Sequence, residues 1–193
     1  MSTETDSVEL VGDEAAVNVA RSVLFAALVG TFAYGSFQYP LSPAPVTLQV
    51  LGVFLAGIFL GAVWGGASMV LYLVAGTVGL PVFAGGDAGL GALLGPTGGY
   101  LLSYPVAAFA VGAVVHGGVS LGDFRAASVP RLVGAMTVGT VVIYALGVLG
   151  LYVSLDMGAV TAVVQGAVVF LPAEALKAAA AVGVVRSDAI TAT

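Results

Sequence analysis

Cysteine is absent from the 193 residues, which excludes disulfides, thiolate metal sites and a cysteine nucleophile. Charge is nearly as scarce: Asp, Glu, Lys and Arg together make up 8% of the chain, against about 25% in an ordinary soluble domain. None of the four occurs between Ser22 and Gly86, and none between Ala88 and Gly122. A water-soluble surface cannot be built from so little, and the runs are too long for buried soluble helices. They also lack the alternating polar residues of a barrel lumen. Helices are then the way to satisfy the backbone inside lipid. No His-Glu-x-x-His, nucleophile elbow or Gly-rich phosphate loop ending in Lys occurs, so the chain is not expected to hydrolyse nucleotide itself or to hold a catalytic metal.

What is present is apolar: 60% of residues. Stretches between turn signals predict spans near 17–38, 47–63, 66–80, 99–117, 132–153 and 158–186, hence an all-α integral membrane protein, a bundle of about six transmembrane helices in one domain over 17–186. The third span is short for a hydrocarbon core of roughly 30 Å. A break is expected near Pro172, with the proline in the first turn of a shorter last helix. Ahead of the bundle, residues 1–16 carry Glu4, Asp6, Glu9, Asp13 and Glu14 with no base before Arg21. That reads as a disordered acidic tail, not as a cleaved signal peptide, which starts basic. Residues 187–193 form a short second tail. The net charge of −5 comes largely from the first tail, and no nucleic-acid partner is expected.

Arg21, Arg125, Arg131 and Arg186 fall on one side of the predicted topology, while the connections 39–46, 81–98 and 154–157 hold no Lys or Arg. The excess of bases on cytoplasmic loops then puts both termini inside and those three loops outside. Phe37, Tyr39, Trp64, Tyr100, Tyr104 and Tyr152 lie near predicted ends and fit either interfacial belts or ordinary packing.

Lys177 is the one lysine in the chain, three residues after Glu174 in an otherwise apolar, Ala-rich stretch, and on a helix the two share a face. Ionisable groups at membrane depth usually face a bundle interior and mark a ligand or ion site. The alternatives are mutual neutralisation and a lysine that reaches back to the membrane surface. The loop from Pro81 to Gly98 is rich in glycine, suited either to a lid over a pocket or to a compact connector. Three prolines between Gln38 and Val46 fix an extended path, after which Thr47 and Gln49 offer polar groups at a helix start. Thr47 serves equally as a helix cap. Small residues at four-residue spacing, as in Ala27-Thr31-Gly35 and Gly57-Gly61-Gly65, allow close helix approach, within the bundle or against a partner. His116 stands without a second histidine or a carboxylate at metal-ligand spacing and reads as structural.

Four segments together resemble the BioY family, the biotin-specific substrate-binding subunits of energy-coupling-factor transporters: Pro45-Val46-Thr47-Leu48-Gln49, Gly79-Leu80-Pro81-Val82-Phe83-Ala84-Gly85-Gly86, Leu94-Gly95-Pro96-Thr97-Gly98-Gly99-Tyr100, and Phe170-Leu171-Pro172 with Leu176-Lys177-Ala178. The family's usual Gly-Asp after the last proline is Ala173-Glu174 here. The resemblance implies a receptor in the prokaryotic cell membrane that binds biotin from outside. It implies as partners a transmembrane coupling subunit and two cytoplasmic ATPases, with no cofactor beyond the transported ligand. Lys177 would meet the valerate carboxylate or the ureido oxygen, and Glu174 the ureido N–H groups. Thr47, Gln49, Phe83, Gly85, Gly86, Thr97, Gly98 and Tyr100 would complete the pocket. The rival readings are a receptor for another small carboxylated vitamin, an intramembrane enzyme or a structural membrane protein.

Overall fold

The computed structural model describes residues 12–187. Its elements are α1 Asp13–Phe32, a two-stranded antiparallel ribbon of β1 Ser36–Phe37 and β2 Val46–Thr47, α2 Gln49–Thr77, α3 Leu90–Leu94, α4 Gly98–His116, α5 Val129–Leu155, α6 Ala159–Gly166 and α7 Leu171–Arg186. Five helical stretches are long and apolar enough to cross a membrane. The ribbon aside, the described residues form the expected all-α bundle. The first helix begins at Asp13, so four residues assigned to the acidic tail are helical. The rest of that tail except Gly12, and residues 188–193, lie outside the described residues.

The sixth leg of the bundle comes from within α2. At Gly61 the backbone takes φ 74° and ψ −173°, a conformation that an L side chain rarely adopts, and the chain folds back on itself. The Gln49 amide then donates to the Tyr72 hydroxyl across the hairpin, and Gly65 packs against the Ala56 carbonyl, where an added Cβ would lie 3.0 Å from that oxygen. The expected joint at residues 64–66 is thus replaced by a bend a few residues earlier. Gly65 and Gly66 are instead the small residues that let the second arm lie against its neighbours. At about 1.5 Å per residue the arms 49–60 and 62–77 are roughly 18 and 24 Å long, each short of a full hydrocarbon core of about 30 Å.

Helix α4 packs along both arms. An added Cβ on Gly112 would stand 2.4 Å from the Ala62 nitrogen, and one on Gly57 2.6 Å from the Ala108 carbonyl. His116, at the end of α4, closes the bend. Its Nε2 lies 2.9 Å from the Ile58 carbonyl, just ahead of the break at Gly61, and its Nδ1 lies 3.0 Å from the Gly122 nitrogen. With the proton on Nε2, the ring donates to Ile58 and accepts from the Gly122 N–H. Replacing His116 with Phe strands a part-buried carbonyl, at a cost of about 1–3 kcal/mol. The purified protein is expected to melt roughly 3–8 °C lower in a thermal scan, and an unchanged midpoint would show that the bend holds without this staple.

The two ends of the bundle differ in character. At one, the chain between α6 and α7 is broken by a 3-10 turn at Val168–Phe170, and Pro172 sits in the first turn of α7, where its missing N–H costs no hydrogen bond. At the other, Arg131 donates to the Val114 carbonyl at 2.7 Å, and Arg186 reaches the Arg125 and Ala127 carbonyls. Arg125, Arg131 and Arg186 therefore gather at the end of the bundle that carries the Gly61 bend.

Candidate functional site

The starts of α2, α4 and α7 converge away from the bend around an open-mouthed cavity. The loops 39–46 and 81–98, expected to share one face, both border this end. The ribbon and the start of α2 contribute Val46, Thr47, Gln49 and Val50, and the glycine-rich loop adds Phe83, Ala84 and Asp87. From α4 and the residue before it come Thr97, Tyr100, Leu101 and Tyr104, from α5 Ile143 and Tyr144, and from the α6–α7 break onward Phe170, Glu174 and Lys177.

Glu174 and Lys177 are 4% and 6% exposed, so both charges are withdrawn into the bundle. They share the face of α7 that their spacing predicted, with Lys177 Nζ 2.6 Å from Glu174 Oε1. The lysine does not reach back to the membrane surface. The Tyr144 hydroxyl donates to the same Oε1 at 2.8 Å. Glu174 Oε2 is buried and has no hydrogen-bond partner in the protein. A buried carboxylate oxygen without a donor costs several kcal/mol, and here the shortfall faces a cavity. Glu174 also lies in the first turn of α7, where the helix dipole favours negative charge.

Around this polar cluster the walls are aromatic and aliphatic. Phe170 and Tyr144 stack at 5.7 Å between ring centroids, and Tyr100 meets Tyr144 edge-on at 6.0 Å. The Tyr100 ring lies over Gly147, where a Cβ would come within 2.1 Å of it, and its hydroxyl donates to the Gly166 carbonyl at 2.7 Å, tying α4 to α5 and α6. The buried Phe83 ring is seated on Gly76 and edge-on to Tyr72. Among the described residues no three His, Asp or Glu side chains gather as a metal site.

Of the residues singled out in the sequence, Lys177, Glu174, Thr47, Gln49, Phe83, Thr97 and Tyr100 line the cavity together. Gly85, Gly86 and Gly98 do not. Gly85 and Gly86, at φ 71° and 85°, turn the loop so that their neighbours Phe83, Ala84 and Asp87 face inward, and the Gly85 N–H is spent on the Ala33 carbonyl. Gly98 allows α4 to start against Leu93, whose carbonyl would be 1.9 Å from an added Cβ. Tyr144 and Asp87 lie outside the sequence expectation altogether. Tyr104, placed there among belt or packing aromatics, is 4% exposed and faces the cavity.

Known proteins share both sequence and shape with this chain. A family model described as the BioY family matches residues 3–191. A probable biotin transporter BioY of Pyrococcus horikoshii is 35% identical over 167 residues, covering 86% of this chain and 93% of the relative. The biotin transporter BioY of Rhodobacter capsulatus is 38% identical over 150 residues, 73% of this chain and 72% of the relative. The crystal structure of the S-component for biotin from an ECF-type ABC transporter superposes with a TM-score of 0.81 over 92% of this chain and 93% of that one. At 23% identity that likeness supports the fold.

Proposed function

The chain belongs to the BioY family, and from that premise we propose that its cavity takes biotin and that the protein is the substrate-binding component of an energy-coupling-factor transporter. The observation that carries this reading is Glu174 Oε2, a buried carboxylate oxygen lacking a donor in a cavity of mixed polar and apolar lining. A fused ureido ring supplies N–H groups beside a carbonyl, so Glu174 accepts from it while the Lys177 ammonium donates to the carbonyl. Val50, Leu101, Ile143 and Phe170 suit the thiophane ring and the aliphatic chain, in the pattern of a mostly apolar site with a few placed polar groups.

The arrangement in the membrane follows from charge. Arg125, Arg131 and Arg186 lie at the end opposite the cavity, which supports a cavity opening outward and cytoplasmic termini in the prokaryotic cell membrane. The sequence has no phosphate loop, and energy comes from a transmembrane coupling subunit with two ATPases. The ligand is carried unchanged. Titration of the purified full-length protein with biotin tests the reading. Saturable one-to-one binding is expected, and no binding at micromolar biotin, or a different vitamin found by mass spectrometry of retained ligand, defeats it.

A further inference from the structure

Resting on that reading, we infer that the receptor selects biotin by its ring system and disfavours a charged chain end, so that biotin amides are ligands at least as good as the free acid, with Asp87 as the discriminating residue. The ring end is fixed by the buried carboxylate. Glu174 Oε2 needs a donor, and a ligand carboxylate placed against it would set two acceptors of like charge together in a low-dielectric pocket. The acyl chain then runs from the cluster toward the mouth.

Among the described residues, none lining the mouth offers it an available cation. Lys177 is the one basic side chain lining the cavity, and it is held by Glu174 at 2.6 Å, buried with its partner. The rim instead carries Asp87, an exposed carboxylate whose Oδ1 is fixed by the Ala88 N–H at 2.8 Å. Counting formal charges at Asp87, Glu174 and Lys177, the lining sums to one negative charge before any ligand enters. A free acid adds a second negative charge, whereas an amide adds none.

The test is competition against labelled biotin on the purified full-length protein, with biotin N-methylamide and biotinyl-lysine as probes, for the native chain and for Asp87→Asn. The asparagine keeps the Oδ1 contact to Ala88. Both amides are expected to bind within about threefold of biotin or more tightly. Asp87→Asn is expected to tighten biotin by about threefold to tenfold at low salt and to leave the N-methylamide unchanged. An amide more than tenfold weaker than biotin, or Asp87→Asn without effect on biotin, overturns the inference while leaving the biotin reading intact. If biotin itself fails to bind, the reading falls and this inference falls with it.

Discussion

Replacing Lys177 with methionine is expected to weaken biotin binding by roughly 30- to 700-fold. The exchange keeps a side chain of similar length and removes the ammonium, so Glu174 loses its ion pair and retains only the Tyr144 hydroxyl. A charge-assisted hydrogen bond and a broken buried pair together cost about 2–4 kcal/mol, which sets that range of dissociation constants. The measurement is isothermal titration of the purified variant, with the thermal midpoint taken alongside to show that the bundle is intact. Affinity within threefold of the native protein would remove Lys177 from the site. The cluster's chemistry would then have to rest on Glu174 and Tyr144 alone.

The second large effect concerns the fold. Gly112→Val drives a branched side chain into a backbone contact, since even a Cβ would stand 2.4 Å from the Ala62 nitrogen and 2.4 Å from the Gly61 carbonyl carbon. Backbone at a helix bend cannot give way as the tip of a side chain can, so α4 must separate from the hairpin. Overpacking of this kind costs about 1–3 kcal/mol or more, and the thermal midpoint is expected to fall by at least roughly 5 °C, with reduced recovery in detergent. A midpoint within 1 °C of the native value would mean that the two elements are not in the close contact described. Gly134→Val provides the contrast, because nothing lies within 4 Å of that position and little change is expected.

How far the sequence reached depended on what kind of signal each feature leaves. Glu174 and Lys177 were legible because a charge inside an apolar run is costly anywhere but in a polar niche. The six legs were legible for a similar reason, since membrane thickness limits how long an apolar stretch must be. The bend position was not, because Gly61 belongs to a Gly57-Gly61-Gly65 series that reads equally as a packing face. Only the backbone shows that its middle glycine has left the helix. Gly85, Gly86 and Gly98 illustrate the same ambiguity. Glycine marks where the chain must turn or pass closely, and here the residues that face the cavity are its neighbours. Tyr144 was hidden because an uncharged aromatic inside an apolar span blends with ordinary packing residues, and its partnership with Glu174 spans 30 positions. Short elements such as α3 and the two-residue strands leave too few residues for any periodicity to register.

The recessed hairpin bears on how far a passenger must travel. Because each arm of α2 is shorter than a hydrocarbon core of about 30 Å, a molecule held in the cavity beside Gln49, at the tip of the first arm, would rest nearer the bend than a full-length helix would allow. The remaining path to the other compartment is set by arms of roughly 18 to 24 Å and not by the full thickness of about 30 Å. On the proposed reading, docking would accomplish part of the crossing before any energy is applied and leave the shorter remainder to the powered step.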